Sequence, residues 1–464
     1  MVNKTASFRV GHVRVYLRGR VWYLSYFEQG VRRQPRVGPD RAYARQMAAE
    51  INGQLEASLP SALGFQPITI GELRQQWLDH HEHVRRSSVP TVRRYRAATQ
   101  HLIEFLSAPK SPGRVADFRS QHAEAFVRYL RDKQVAPNGH AKARKRNLHE
   151  SGIKFILETC SSLFNFAARR RHLPPYADNP FRVIEVHRMP IEDARPVVPF
   201  TRDQECRFLE ACDDWQFPVF LTLLCTGLRP GELVHLLLPD DLDLERGWLN
   251  VRNKPLLGWQ VKTRTQRDIP LIPVLRQALE DLVGDRQTGP VFLQRRCRAD
   301  GHEPPLSRHM RRDLERELAT RLAREQGTGA SIARATRLRI AQTVWRDQGV
   351  LKVDWLRKEF MQINSRIGMA EFTAPKTLRH SFATILQDAN VDPLIRNELM
   401  GHSPSQIDRG HSGLGMTAIY THTRPDTKRS QLEAAFAGRI GSPYIRGVGA
   451  HNCGVPGTPT APEA

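Results

Sequence analysis

From residue 12 to residue 38 apolar and polar positions alternate through VRVYLRG, VWYLSY and VRRQPRVG, bounded by Gly or Pro, and this period of two predicts a three-stranded antiparallel sheet. One face of it carries Arg14, Arg18 and further basic groups. The period then changes: DRAYARQMAAEINGQL, residues 40 to 55, reads as an amphipathic helix opened by Asp40 as its N-cap. A sheet this small needs a helix to cover it, so residues 1–60 are expected to form one compact basic β-sheet and helix module. LPSALGFQP, polar and Pro-containing, separates it from the helical region beyond.

Over residues 68–186 the spacing is helical: Ile70, Leu73 and Trp77; Val92, Tyr95, Leu102 and Leu106; Phe126, Tyr129 and Leu130; Ile156, Leu163 and Phe166. The helices of this domain are expected to carry two basic runs, Arg144, Lys145 and Arg146, and Arg169, Arg170 and Arg171. A single run is usually a solvated face; two on adjoining helices point to phosphate contacts. Residues 187–200 hold three prolines and no period, which reads as a linker. Residues 201–440 make the largest domain, with helices, a strand pair around WLNVRN and WQVKT, and further helices. Within it the charge-dense helical stretch 295–350 reads as an insertion that packs only partly, and the Gly- and Pro-rich tail 441–464 as disordered. The fold class expected is therefore multidomain, mainly α with small β-sheets.

Composition narrows the partner. With 464 residues the chain is too long for one ordinary core, and ordinary domain sizes give roughly three domains. A formal charge of +22, from 70 Lys and Arg against 48 Asp and Glu, points to a polyanion, with nucleic acid ahead of a membrane surface. No apolar run reaches the ~20 residues that span a bilayer, and no signal-peptide core opens the sequence, so a soluble intracellular protein is expected. The six cysteines form no CxxC pair and are expected to be free thiols. His80, His81 and His83 lack a Cys or acidic partner at metal-site spacing and read as a solvated helix end.

Four segments carry candidate chemistry. In CTGLRPGELVHL, residues 225 to 236, a helix stops at Thr226-Gly227 and resumes at Glu232, placing Arg229 at a junction suited to phosphate oxygens; Arg229 can equally pair with Glu232. WQVKTRTQRDIPL, residues 259 to 271, reads as a β-hairpin with Lys262 near the bend, either a surface cation or a proton donor to a leaving alkoxide. PKTLRHSFATIL, residues 375 to 386, puts Lys376, Arg379 and His380 at a helix N-terminus, where positive charge is unfavourable unless an anion arrives. In residues 397 to 422 a helix ends at Gly401, His402 follows, and a Gly/Ser-rich loop containing His411 leads to Tyr420. Two Arg forks can neutralise the equatorial oxygens of a phosphoryl transition state. A tyrosine can supply the attacking oxygen, its phenol of pKa about 10 favoured as phenolate by cationic surroundings.

In number, order and rough spacing these segments resemble the catalytic motifs of the tyrosine recombinases, the phage integrase family. TGLRPGEL resembles the first arginine box, VKTRTQRDIPL the β-hairpin lysine segment, PKTLRHSFAT the second arginine box, and LMGHS with AIYTH the histidine and nucleophile segments. The resemblance implies an α+β catalytic domain over 201–440, a helical core-DNA-binding domain over 68–186 and an arm-DNA-binding-like module at 1–60. It implies that Arg229 and Arg379 clamp the scissile phosphate, Lys262 protonates the leaving 5′ oxygen, His402 hydrogen-bonds a phosphate oxygen and Tyr420 takes the 3′ phosphate. Neither a nucleotide cofactor nor a metal ion is then required. Implied partners are double-stranded DNA, further copies of the chain in a homotetramer, and accessory DNA-bending or directionality factors, with no membrane; the implied location is the cytoplasm, with the nucleoid.

Two positions depart from the family pattern. Lys376 stands where a histidine usually precedes the second arginine by three residues; a lysine can contact phosphate, but an ordinary pKa of about 10.4 makes general-base work harder. The family's histidine usually lies about nine residues before the tyrosine, a spacing that fits His411, whereas His402 closes an apolar helix and is favoured, with the intervening residues read as a loop insertion. The leading function is a site-specific DNA recombinase, an integrase of a mobile element. The alternatives are a type IB-like topoisomerase and a catalytically inactive DNA-binding protein.

Overall fold

A computed structural model of the chain describes residues 6–28, 30–57, 61, 66–109, 111–136, 142–174, 177–193, 196, 198–299, 303–326, 331–402 and 423–439. Residues 1–195 and 196–464 form two compact units; their boundary falls inside the 187–200 segment. Tyr420, His411 and the 441–464 tail lie outside the described residues.

The first unit opens with five antiparallel strands rather than three: β1 (Ser7–Val10), β2 (Val13–Arg18), β3 (Val21–Glu28), β4 (Val31–Arg33) and β5 (Arg36–Gly38). The extra strands have two causes. Gly11, at φ +54, turns the chain before Val13 so that residues 7–10 pair with β2. Pro35 offers no N–H to a ladder, so VRRQPRVG splits into β4 and β5, which pair with opposite ends of β3. Val13, Val15, Trp22, Leu24 and Tyr26 face inward onto Ala44, Met47, Ala48 and Ile51 of α1 (Arg41–Glu56). Asp40 caps α1 by accepting from the Ala42 N–H at 2.8 Å. Outward, Arg14 and Arg18 are exposed beside Tyr16, which stacks on Tyr23 at 5.8 Å.

Four helices come next: α2 (Ile70–Asp79), α3 (Val89–Leu106), α4 (Ser120–Asp132) and α5 (Glu150–Arg169), around a core that includes Leu73, Trp77, Leu102, Phe126, Ile156 and Leu163. Two details differ from expectation. Arg144 and Lys145 lie between the two strands of a short hairpin, β6 (Gln134–Val135) with β7 (Arg146–Asn147), so only the second basic run ends a helix. The histidines close the helix as expected and His83 is exposed, but the backbone widens into a π-turn at His80–Val84 and His81 is buried, 3.0 Å from the Ser87 hydroxyl and edge-on to Trp77.

The second unit is built on α7 (Gln216–Thr226), every residue of which is buried except Phe217. Around it lie α6 (Arg202–Glu210), α8 (Pro230–Leu233), strands β8 (Leu237–Leu238), β9 (Leu242–Asp243), β10 (Trp248–Val251) and β11 (Arg267–Pro270), then α9 (Pro273–Val283), β12 (Gly289–Pro290) and α10 (Arg295–Ala299). They are succeeded by α11 (Arg311–Gln326), α12 (Arg334–Asp347), α13 (Val353–Arg366), α14 (Lys376–Asp388), α15 (Pro393–Met400) and α16 (Pro425–Phe436). WQVKT is not a strand: β10 pairs with β11, and a long connection, residues 252–266, joins them. The 295–350 stretch is no loosely packed appendage either. Leu314, Leu318, Ile340, Val344 and Trp345 join the main core, and the Trp345 indole donates to the Leu257 carbonyl at 3.0 Å. Its apolar positions are hidden in the sequence by the arginines between them. No described helix is long and apolar enough to cross a membrane.

Candidate active site

The site is assembled where helices end. Gly227, at φ +59, stops α7 in the left-handed conformation, and an added Cβ there would lie 2.3 Å from the Phe382 ring of α14, so the position requires glycine on both counts. Arg229 then N-caps α8, with Pro230 at its first position. Glu232, on the same turn, accepts from the Arg229 N–H at 3.0 Å and from the Arg229 Nη1 at 2.8 Å. The Arg229–Glu232 pairing weighed from the sequence therefore exists.

Arg379, one turn into α14, is buried rather than presented at the surface, and its guanidinium donates to the carbonyls of Gly227 and Met400. These carbonyls close α7 and α15, whose C-terminal ends carry partial negative charge. The positive charge near the N-terminus of α14 is thus compensated by two other helices. Burial first, and then the Arg229 charge, pull the Arg379 guanidinium down to about 10, which leaves it protonated at neutral pH.

His402 succeeds Gly401, the left-handed cap of α15 at φ +64, and its N–H bonds the Asn397 carbonyl at 3.0 Å. Burial lowers its imidazole below the ordinary histidine value, and the charges of Arg379, Arg229 and Arg267 lower it further, so it is neutral at pH 7. Lys376, the first residue of α14, is exposed and has no bonded partner among the described residues. Lys262 is likewise exposed, on the turn that precedes β11.

A further arginine occupies the centre. Arg267, 6% exposed, donates Nη2 to the Glu232 carboxylate at 2.6 Å and Nε to the Leu399 carbonyl at 2.9 Å, while its buried Nη1 has no partner among the described residues. Burial would raise the Glu232 carboxyl, but Arg267 above all, helped by Arg229, holds it below the usual carboxylate range. Sequence reasoning passed over Arg267, although RDIP contains the signal: an arginine two residues before an inward-facing strand isoleucine shares its buried face. Chemically the centre is three guanidinium groups against one carboxylate, with a neutral imidazole alongside, an arrangement suited to a phosphate anion. Among the described residues no group of three or more His, Cys, Asp or Glu could hold a metal ion.

Residues 199–426, which include all of this centre, match the model of the phage integrase family. These residues form a domain of that family, the tyrosine recombinases. The chain is 25% identical to tyrosine recombinase XerC of Rhodospirillum centenum (strain ATCC 51521 / SW) over 81% of this chain and 93% of the relative. Its fold is similar to that of the Tn1549 transposon integrase in complex with transposon right end DNA, with TM-score 0.50 and 18% identity over 79% of this chain and 99% of that one. A lambda integrase dimer bound to a COC′ core site aligns at TM-score 0.47 and 14% identity, over 87% of this chain and 93% of that one. As a tyrosine recombinase the protein is a site-specific DNA recombinase of the integrase type.

Proposed function

We propose that this recombinase breaks and rejoins DNA through a 3′-phosphotyrosine link at Tyr420, with Arg229, Arg379, Lys262 and His402 as its principal helpers. The observation that carries the reading is the convergence of three segments up to 173 residues apart: Arg379 donates to the carbonyl of Gly227, two residues before Arg229, and to that of Met400, two residues before His402. Guanidinium groups anchored before substrate arrives stabilise charge gathering on the equatorial phosphate oxygens without reorganising during the reaction. The neutral His402 imidazole hydrogen-bonds one of these oxygens, and Lys376 contacts the phosphate from the solvent side.

In the step itself the Tyr420 oxygen forms a bond to phosphorus, the bond from phosphorus to the 5′ oxygen breaks, and Lys262 gives that oxygen a proton. Attack by a 5′ hydroxyl on the phosphotyrosine reverses the step and rejoins strands. Chain continuity is compatible with this. Thr423, bonded to Glu398 of α15 at 3.0 Å, is three residues from Tyr420, and three residues of chain span at most about 11 Å.

Recombination between two duplexes opens four strands, each held by one tyrosine, so stoichiometry calls for a homotetramer on paired DNA. The outward Arg14, Tyr16, Arg18 and Tyr23 face of the N-terminal sheet would hold a second, arm-type DNA site, with residues 68–186 on the core site; accessory bending or directionality factors would act on that arm, in the nucleoid. Replacing Tyr420 by Phe should abolish covalent attachment to a nicked suicide duplex while preserving salt-sensitive DNA binding. An adduct formed by the Phe variant would remove Tyr420 from the reaction.

A further inference from the structure

The connection between β10 and β11 is anchored along most of its length. Lys254 and Trp259 exchange backbone bonds at 3.0 and 3.1 Å, and the Lys254 ammonium lies buried against Asp241 at 2.7 Å. Beyond Trp259 the chain makes a turn, Val261-Lys262-Thr263-Arg264, in which Val261 is buried in the core while Lys262 and Arg264 are exposed, closed by the Arg264 N–H on the Val261 carbonyl at 2.8 Å. It leaves through Arg264 at φ +60, a left-handed conformation that is unfavourable for a non-glycine residue and needs something to hold it.

Asn253 supplies the hold. Its Oδ1 accepts from the Val261 N–H at 2.9 Å and its Nδ2 donates to the Arg264 carbonyl at 3.0 Å, so one side-chain amide grips the turn on both sides of Lys262. Its own N–H donates to the Gln266 side chain at 3.0 Å, fixing the amide's base relative to the outgoing chain. Among the described residues no other side chain bonds both ends of this turn. Lys262, by contrast, has no partner of its own there, so its direction is set by the backbone that carries it.

We propose that Asn253 is a positioning residue that aims the Lys262 ammonium at the leaving 5′ oxygen; the proposal rests on the reading of Lys262 as proton donor. When the bond from phosphorus to that oxygen breaks, the electron pair stays on oxygen and the Lys262 proton neutralises it. A sulfur in the same bridging position leaves as a thiolate and needs no proton, so it separates residues that act through Lys262 from residues that merely keep the domain folded.

The experiment measures single-turnover adduct formation by full-length wild type, Asn253→Ala, Asn253→Asp and Lys262→Ala on nicked suicide duplexes bearing either a 5′-bridging oxygen or a 5′-bridging sulfur. Asn253→Ala is expected to be slower on oxygen by about 10- to 100-fold, the scale of misplacing a reacting group by an ångström. It should return to within about threefold of wild type on sulfur, a margin small beside the loss expected from misplacement. Asn253→Asp, which keeps the acceptor for Val261 but loses the donor to Arg264, should fall between the two. The sulfur duplex is also the folding control, since a misfolded variant cleaves neither substrate. An Asn253→Ala chain equally slow on both substrates, or as fast as wild type on oxygen, overturns the proposal while leaving Lys262 in place. A Lys262→Ala chain that sulfur does not restore overturns the proton-donor reading, and the proposal with it, but leaves Tyr420 untouched.

Discussion

Lys254 and Lys262 belong to one connection between two strands, yet the fold treats them in opposite ways. Lys254 is 1% exposed, ion-paired with Asp241 and stacked over Trp259 at 5.3 Å; Lys262 is exposed and unpaired among the described residues. Burial pushes the Lys254 ammonium below the ordinary lysine value, only partly offset by Asp241, and burial likewise pushes the Asp241 carboxyl up. Both members of the buried pair are thus drawn toward their neutral forms, the expected outcome when charges leave water. A group built this way fixes a loop and donates nothing. Proton delivery to a substrate requires the other treatment: a hydrated side chain on a short turn, free to reach, with its base held firmly. The arginines of the centre stand nearer to Lys254, since what they supply is fixed charge.

The largest effect expected from this contrast is on stability. Lys254→Met leaves the Asp241 carboxylate buried without its cation and should cost about 3–5 kcal/mol, whereas Lys262→Met should change denaturant unfolding by no more than about 0.5 kcal/mol. On DNA the order reverses: Lys262→Met should slow adduct formation by about 10²–10⁴. A Lys262→Met chain that unfolds as readily as Lys254→Met would break the comparison.

The second effect concerns pH and the aromatic packing that holds the buried half of the connection. His235 lies between Trp259, at 4.9 Å, and Trp345, at 4.7 Å, with Nδ1 on the Gly231 carbonyl at 2.6 Å. Burial, with a smaller push from Lys254, lowers its imidazole to about 4 against an ordinary 6.5. The unfolded chain therefore binds more protons than the folded one between these values. The stabilisation is complete above pH 6.5, falls with pH through that window and is gone near pH 4, on the order of 3 kcal/mol in all. His81, also lowered to about 4 chiefly by burial, adds to the slope from the first unit. His235→Phe should flatten the unit-two part of the loss in urea unfolding series between pH 7 and pH 4.5; an unchanged slope would mean that other groups carry it.

How much of this was legible depends on what punctuates the chain. Thr226-Gly227 and Met400-Gly401 could be read as helix ends because glycine marks the left-handed cap, and Pro375 marked a start; the restart read at Glu232 falls at Pro230, two residues earlier, so the junctions holding Arg229, Arg379 and His402 were visible. Tertiary choices were not. Arg379 looks like a surface cation until the carbonyls of Gly227 and Met400 are brought to it across 152 and 21 residues. The long connection defeated the hairpin reading because Val261 and Trp259 keep β-like alternation while packing as loop. In the 295–350 stretch arginines paired with neighbouring acids, as in Arg321 with Glu317 and Asp347, hid the apolar face that joins the core.

The smallest effect sharpens the fixed side of the contrast at one glycine. Gly401 sits at φ +64, and a Cβ there would lie 2.8 Å from the Arg267 Nη1 and 3.1 Å from its Cδ. Gly401→Ala therefore combines left-handed strain, worth about 1–2 kcal/mol, with a push on an arginine held at both ends by Glu232 and the Leu399 carbonyl. Because Nη1 has no bond to lose among the described residues, the side chain can yield by a few tenths of an ångström, and adduct formation should fall by no more than about tenfold, the kinetic equivalent of the strain itself. A loss far beyond that, in a chain whose unfolding midpoint moves only as the strain requires, would mean that the unpaired Nη1 touches the reacting phosphate, and would move Arg267 from the framework of the site into its chemistry.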